Sequence, residues 1–138
     1  MDQYRDFTNG QMNYPVPEGQ AFLARLHAAG QHYVPIVDAN IYAPNPTNGS
    51  DRYSVFERGA ELNAFIRNGA DSFYYGDNWP GFSVWADMLV PRGQQLWTES
   101  LATWHKDIQY DGIWIDLNEA SSFCVGSCGQ SRLNENPV

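Results

Sequence analysis

Gly112-Ile113-Trp114-Ile115-Asp116-Leu117-Asn118-Glu119 is a short apolar run that ends in an acid, an amide and a second acid. The apolar part predicts a strand that is buried on both faces, as in a parallel sheet. In parallel α/β architectures the ligand binds at the carboxyl ends of the strands. Asp116 stands at such an end, so we expect it on the ligand side of the sheet.

The residues before this strand predict a helix that packs on the sheet. Between Gly93 and Ile108 the apolar residues recur on one stripe at helical spacing. These residues are Leu96, Trp97, Leu101, Trp104 and Ile108. Because Trp97 and Trp104 belong to this stripe, we interpret both as core residues.

An earlier helix and strand repeat the same order. Glu18–Ala29 has apolar residues on one face, and Gly30 is suited to a left-handed cap. His32–Asp38 predicts a buried strand, although Pro35 has no N–H to donate. The order of helix, strand, insertion, helix and strand implies parallel βα units. The first strand ends in Asp38, and the second ends in Asp116.

The residues between the two units predict an insertion over 39–91. Its first part, 39–51, has the Pro, Asn and Gly content of a loop. A helix is predicted over Glu57–Asn68, with Phe65 and Ile66 on its apolar side and Gly69 at its end. The remaining part, 70–91, is aromatic and interrupted by Gly and Pro, which predicts irregular structure.

Composition excludes several classes of partner. With 43% hydrophobic and 17% charged residues, the 138 residues have the composition of one globular domain. The net charge of −8 repels nucleic acid and anionic lipid, so we expect neither as a partner and favour a neutral substrate. No apolar run approaches the ~20 residues that span a bilayer. The first residues also lack the features of a signal peptide.

The two cysteines, Cys124 and Cys128, are four residues apart. Such a pair could ligate a metal, but two thiols make half a site and no Cys or His follows, so we favour a small disulfide loop. A disulfide indicates an oxidising compartment. Asn48-Gly49-Ser50 fits the N-glycosylation pattern and makes Asn48 the candidate acceptor. Together these features predict a secreted protein.

The chain has no motif for a metal or a cofactor. Its three histidines lack paired ligand spacing, and no P-loop or dinucleotide-binding glycine pattern is present. Solvated acids are the rule in irregular segments, and a calcium loop needs closer alternation of oxygen ligands. The acids concerned are Asp71, Asp77 and Asp87. We therefore expect neither a metal nor a cofactor.

Residues Trp114–Glu119 resemble the Trp-Ile-Asp-Met-Asn-Glu motif of glycoside hydrolase family 31, the α-glucosidase and maltase family, with Leu117 in place of the usual Met. Three other stretches resemble the family in the same order. Residues 1–8 are similar to the segment after the second barrel strand, Tyr33–Asp38 to the third strand, and Trp79-Pro80-Gly81 to the loop inserted before the fourth. The run over 120–129 is most similar to secreted α-glucosidases of filamentous fungi.

The resemblance implies an α/β fold, as a partial (β/α)8 TIM barrel. The chain would supply the end of the second βα unit, the third strand with the 39–91 insertion, and the fourth strand, with a second insertion starting over 120–138. A complete barrel has about 250 residues. The resemblance therefore implies an internal fragment whose partner is the remainder of its own catalytic domain. We expect the isolated chain to be inactive and poorly soluble, because it exposes strand edges.

The resemblance also implies roles for individual residues. In retaining glycosidases one carboxylate attacks the anomeric carbon and a second protonates the leaving oxygen. Asp116 would be the nucleophile and Glu119 its support, with the proton donor beyond residue 138. The pocket for the terminal sugar would be lined by Ile36, Trp79, Trp114 and Leu117, with indole faces on the sugar ring. Asp38 has two interpretations, orientation of the pocket and stabilisation of a loop.

The expected protein is a fragment of a secreted, retaining α-glucosidase that acts on maltose and oligosaccharides. One alternative is a relative that acts on α-xylosides or transglycosylates. The other is a truncated, non-catalytic carbohydrate-binding product that keeps Trp79 and Trp114. An acid in a barrel-strand context after residue 138 would separate the enzymes from the binding protein.

Overall fold

The computed structural model describes residues 1–69 and 72–128. Within these ranges the chain forms three helices and five strands. They are α1 (Val16–Ala28), β1 (Ile36–Asp38), β2 (Asn40–Tyr42), α2 (Ser54–Leu62), β3 (Gly76–Asn78), β4 (Gly81–Trp85), α3 (Pro91–Asp107) and β5 (Trp114–Asp116). None of the described helices is long and apolar enough to cross a membrane.

The predicted parallel strands are present as a pair. β1 and β5 run parallel, and Asp38 lies opposite Asp116 at their carboxyl ends. β1 is shorter than predicted, and Pro35 lies just before it, so its missing N–H breaks no ladder bond. Its carbonyl instead accepts a hydrogen bond from the N–H of Trp114 at 2.9 Å. In the described residues these two strands form an open pair, as expected for part of a barrel.

The helices before the two strands are also confirmed. α1 ends near Gly30, whose φ of +71° is the left-handed conformation that the sequence predicted. α3 begins at Pro91, a residue suited to the first helical position. Trp104 is buried in the core, as predicted, whereas Trp97 is half-buried and packs edge-on against Phe7 with ring centroids 5.4 Å apart.

The helix predicted over Glu57–Asn68 is wrong at both ends, because α2 covers Ser54–Leu62. Asn63 ends it in a left-handed conformation with φ 52°. The chain then folds back, so that the ring of Phe65 packs over Gly59, where an added Cβ would lie 2.1 Å from the ring. Burial of this ring, which is 2% exposed, ends the helix early although the apolar spacing continues.

The irregular structure predicted over 70–91 is also wrong, as is part of the loop predicted over 39–51. β2, β4 and β3 form an antiparallel sheet in that order, which we call the small sheet. Trp79 and Pro80 make the turn between β3 and β4. Of the acids predicted to be solvated, Asp77 lies in β3 and Asp87 follows β4, while Asp71 falls outside the described residues.

The two faces of the small sheet differ in chemistry. One face joins α2 and α3 in the hydrophobic core, with Ile41, Phe82 and Val84 all nearly inaccessible to solvent. The other face is also buried, and it carries Asn40, Asn78 and Ser83 together with Trp85; we call it the polar face. Buried amides and hydroxyls are costly unless they form hydrogen bonds. Asn78 bonds to Ser121 in the chain that follows β5, whereas the side chain of Asn40 has no hydrogen-bond partner among the described residues.

Candidate active site

The carboxyl ends of β1 and β5 bring together residues that the sequence singled out. In the register of the pair, Ile36 lies opposite Trp114 and Asp38 opposite Asp116. Residues two apart on a strand point to the same face, so all four share one face of the pair. Neighbouring strands are about 4.8 Å apart, which places the two acids side by side. The burial on both faces that the sequence predicted for β5 is not seen in the described residues, where Trp114 is 59% and Ile115 50% exposed and the strand pairs only with β1.

Asp116 is held by the backbone that follows it. Its Oδ1 accepts a hydrogen bond from the N–H of Leu117 at 2.9 Å. Leu117 has φ 51°, in the left-handed region that residues other than glycine rarely adopt. Such conformations are concentrated at functional sites, where the surrounding structure imposes them. The turn directs the chain sharply away from β5 and leaves both Asp116 and Leu117 half-buried.

Two acids near Asp116 have pKa values above that of an ordinary aspartate. Asp38 is 5% exposed. Its burial, and then the negative charge of Asp116, raise the pKa of Asp38 above the ordinary value. Asp6, only 2% exposed, accepts a hydrogen bond from the N–H of Asp38 at 3.4 Å. Burial, and then the charge of Asp38, raise the pKa of Asp6 to about 8. At the carboxyl ends of β1 and β5, Asp38 therefore has Asp116 on one side and contacts Asp6 through a hydrogen bond.

Sequence reasoning missed Asp6 as a member of this group. The residue entered only as part of a stretch that resembled the family. No spacing rule connects it with an acid 32 residues later along the chain. The available signal was its position in a segment expected to follow the preceding barrel strand, whose carboxyl end would lie on the same side.

Trp79 and Glu119, two further residues predicted to belong to the site, have different surroundings. Trp79 is 51% exposed in the turn between β3 and β4. Its ring meets the ring of Phe123 edge-on, with centroids 5.0 Å apart, so it lies beside the chain that follows Asp116. Glu119 is exposed to solvent. The structure thus brings Trp79 to the segment after Asp116 through Phe123 and leaves Glu119 at the surface.

The cysteine pairing is confirmed. Cys124 and Cys128 form a disulfide, with their Cα atoms 6.1 Å apart. The predicted glycosylation residue Asn48 is exposed. Its Oδ1 accepts hydrogen bonds from the backbone N–H and the hydroxyl of Ser50, at 3.2 and 2.7 Å. The rest of the second predicted insertion, 129–138, lies outside the described residues.

Two of the histidines contact a single acid far from the strand ends. His27 and His32 approach Asp111 at 2.9 and 3.3 Å, and the N–H of Tyr33 donates to the same carboxylate at 2.8 Å. This cluster fixes the start of β5 to the end of α1. Over residues 1–69 and 72–128, no group of three or more His, Cys, Asp or Glu side chains is arranged to hold a metal ion.

Comparison with known proteins agrees with this geometry. The whole chain, residues 1–138, matches the family described as glycosyl hydrolases family 31 TIM-barrel domain. It is 47% identical over 138 residues to an α-glucosidase of Aspergillus oryzae, and 46% identical to an α-glucosidase of Aspergillus niger. It is also 48% identical over 139 residues to glucoamylase 1 of Candida albicans. All of the chain aligns, and it spans 14–15% of the length of these relatives.

Solved structures are similar in fold. A chain from the heterodimeric complex of ER glucosidase II, which consists of the catalytic subunit and the binding domain of the regulatory subunit, superposes with a TM-score of 0.75 at 26% identity, over 91% of this chain and 13% of that chain. A family 31 α-glucosidase from Bacteroides thetaiotaomicron superposes with a TM-score of 0.69 at 25% identity, over 92% of this chain and 20% of that chain.

These matches explain why two parallel strands stand open and carry acids at their carboxyl ends. A parallel pair with an intervening helix is the repeating unit of a TIM barrel, and the carboxyl ends of its strands form the active site. The partial barrel predicted from the sequence is confirmed. The chain belongs to glycosyl hydrolase family 31, within the TIM-barrel domain of that family.

Proposed function

We propose that this chain carries the catalytic nucleophile, Asp116, of a retaining α-glucosidase that removes terminal α-linked glucose from maltose and oligosaccharides. The observation that supports the proposal is the register of β1 and β5. It places Asp116 beside Asp38 on the face that also carries Ile36 and Trp114. Membership of a glycosyl hydrolase family and close relatives named α-glucosidase support the substrate class.

In this mechanism an ionised Asp116 attacks the anomeric carbon of the bound glucoside. The bond from that carbon to the leaving oxygen breaks, and a glycosyl ester forms on the carboxylate. Water then cleaves the ester and restores the carboxylate. The hydrogen bond from Leu117 holds Oδ1, and Oδ2 is the oxygen that attacks. The acid that protonates the leaving oxygen is supplied by a part of the full-length protein outside this chain.

A second carboxyl, that of Asp38, lies beside Asp116 in the register of β1 and β5. Burial, and then the charge of Asp116, raise the pKa of Asp38 above its ordinary value. Asp38 therefore binds a proton more readily than an ordinary aspartate, which lessens the repulsion between the two carboxyls.

The other predicted residues have supporting roles in the proposal. Trp114 and Trp79 present indole faces to the terminal sugar, and Ile36 and Leu117 close the pocket around it. Glu119 supports the segment that follows the nucleophile. Residues 39–91 are an insertion between two barrel strands, and residues 120–138 begin a second one. The disulfide and the exposed Asn48 support the proposal that this protein folds in an oxidising secretory compartment.

The test is to trap the glycosyl-enzyme. The full-length protein is treated with a fluorinated α-glucosyl fluoride, and the label is located by peptide mass spectrometry. We expect the label on Asp116 and turnover of maltose. Asp116→Asn should take up no label. Asp107→Asn, which alters an exposed acid at the end of α3, is the matched control and should keep both label and turnover.

Other outcomes separate the alternatives. Turnover with the label on another carboxylate would overturn the assignment of Asp116. Preference for an α-xyloside, or formation of longer oligosaccharides from maltose, would replace hydrolysis of glucosides by one of the related activities. Binding of maltose without label or turnover would identify a non-catalytic carbohydrate-binding protein.

A further inference from the structure

The polar face of the small sheet contains one amide that joins two functional segments. Asn78 is 0% exposed and stands directly before Trp79, which is 51% exposed. Its Oδ1 accepts a hydrogen bond from the N–H of Trp79 at 2.8 Å. Its Nδ2 donates to the carbonyl oxygen of Ser121 at 3.2 Å. A single buried side chain therefore links the turn that carries Trp79 to the chain five residues after Asp116.

This link belongs to a longer contact between the two segments. The N–H of Phe123 donates to the carbonyl of Asp77 at 2.8 Å, and the N–H of Asp77 donates to the hydroxyl of Ser122 at 3.1 Å. At the far end the N–H of Cys128 donates to the carbonyl of Tyr75 at 2.8 Å. The segment that follows the nucleophile thus lies along β3, and the disulfide closes its outer turn.

The contact fixes the position of an aromatic ring that would otherwise be free to move. Half of the surface of Trp79 is open to solvent, and its described ring contact is the edge of Phe123. The position of this ring depends on the backbone turn that Asn78 holds. A buried amide whose oxygen and nitrogen are both hydrogen-bonded keeps its partners at a fixed separation, because a change that breaks either bond leaves a buried polar group unpaired.

We propose that Asn78 is a positioning residue, which sets Trp79 at a fixed distance from the segment after Asp116 and thereby determines how tightly the terminal sugar is held. The proposal rests on the proposed α-glucosidase function. It assigns to Asn78 an effect on sugar binding rather than on bond cleavage. Packing of the indole on the sugar is present in the ground state and in the transition state alike, and interactions of that kind change KM and leave kcat unchanged.

The experiment uses the full-length protein and the variant Asn78→Asp. Aspartate keeps an oxygen to accept from Trp79 but replaces the donor to Ser121 by a second oxygen. We expect KM for maltose to rise about tenfold and kcat to stay within about twofold, the loss that one buried hydrogen bond produces. Ser83→Ala is the matched control. Ser83 is 0% exposed on the same face of the small sheet, and its hydroxyl donates to the carbonyl of Gly81 at 2.8 Å.

A second variant distinguishes positioning from a general loss of structure. In the background of Trp79→Ala, the change Asn78→Asp should raise KM less than about twofold, because the ring on which it acts is absent. If Asn78→Asp accumulates poorly, Asn78→Ser is measured in its place, with active sites counted by the trapped label. A lower kcat with unchanged KM, or an equal effect with and without Trp79, would show that Asn78 is merely structural.

The outcomes also separate this inference from the proposed function. A parent protein that is active and labelled on Asp116, but whose Asn78→Asp variant has the parent KM, refutes the role of Asn78 alone. A parent protein that neither cleaves an α-glucoside nor takes up the label refutes the proposed function, and with it the inference that depends on it.

Discussion

Replacement of Asp6 by asparagine should stabilise the protein, although it removes an acid from the neighbourhood of the active site. Asp6 is 2% exposed and has a pKa of about 8 in the folded protein, against 3.8 for an ordinary aspartate. Folding at neutral pH therefore requires uptake of a proton by this carboxyl. Holding that proton at pH 7, about three pH units above the ordinary pKa, costs the folded state about 4 kcal/mol at ~1.36 kcal/mol per pH unit.

The sign follows from the number of protons bound. Between pH 3.8 and about 8 the folded protein binds a proton on Asp6 that the unfolded chain has released. The free energy of unfolding of the parent therefore falls as the pH rises through this window and levels off above it. Among the described side chains, Asp38 acts on Asp6 through its charge, and the charge of Asp6 acts on Tyr53.

Asp6→Asn supplies an amide of the same shape that never ionises. Its oxygen can still accept from the N–H of Asp38, and its nitrogen takes the place of Oδ2, which has no hydrogen-bond partner among the described residues. The protonated acid leaves an O–H in that same place, so the exchange is close to neutral. We expect the free energy of unfolding at pH 7 to rise by about 2 to 4 kcal/mol.

The assay is urea unfolding of the full-length protein, followed by tryptophan fluorescence from pH 5 to 8.5. The advantage of Asp6→Asn should grow by up to about 1.4 kcal/mol for each pH unit up to pH 8. Asp51→Asn is the control of opposite sign. Burial acts to raise the pKa of Asp51, but hydrogen bonds from Asn45, Tyr42 and Arg5 lower it overall, so this variant should be less stable at pH 7. Asp6→Asn that destabilises at pH 7, or whose effect does not depend on pH, would show that Asp6 is ionised and paired.

Three further predictions concern other parts of the chain. Gly93→Ala should lower the free energy of unfolding by about 1 to 3 kcal/mol, and with it the urea midpoint, because the added Cβ would lie 1.8 Å from the carbonyl oxygen of Asp87. An unchanged midpoint would mean that Asp87 and the first turn of α3 are not as close as described. The hydrogen bond from Tyr33, and then those from two histidines, lower the pKa of Asp111 to about 2. The stabilisation that Asp111 provides should therefore be present above pH 3.8 and disappear as the pH falls toward 2. Asp111→Asn should lower the thermal midpoint at pH 7, and the midpoint of this variant should change less between pH 4 and pH 2 than that of the parent. Asn48→Gln should increase the gel mobility of the full-length protein expressed through a secretory pathway, without changing KM, and enzymatic removal of N-linked glycans should increase the mobility of the parent in the same way. Equal mobility of the variant and the untreated parent would exclude a glycan at this position.

The sequence predicted the parallel strands and their acids because local patterns specify them. Continuous apolar residues at β1 and β5 indicate burial on both sides, and each run stops at an acid. α3 was predictable for a similar reason, since its apolar stripe extends over more than three turns. In β1 and α3 the local pattern and the tertiary environment favour the same structure, which is the condition under which sequence reasoning succeeds. β5 has the predicted strand and pairing, but Trp114 and Ile115 are exposed in the described residues.

The missed features depend on contacts between distant residues. The apolar spacing of α2 continues through Phe65, but packing of this ring on Gly59 reverses the chain at Asn63. β3 consists of Gly76, Asp77 and Asn78, which have the composition of a turn. Its strand conformation comes from pairing with β4 and from the segment after Asp116. The role proposed for Asn78 likewise could not be predicted from the sequence, because its hydrogen-bond partner Ser121 lies 43 residues away along the chain.

The register of the small sheet has a consequence for how the barrel strands find each other during folding. β1 and β5 pair across almost 80 residues, a separation at which closing a disordered loop is entropically costly and slow. Asn40 lies opposite Trp85 in the small sheet, however, so formation of that sheet brings the end of β1 beside the start of α3. The chain that remains to be closed is then about 30 residues, the length of an ordinary βαβ unit. We expect the small sheet to form first and to shorten the loop that must close between β1 and β5. Residues 39–91 would then add little to the time that these two strands need to pair.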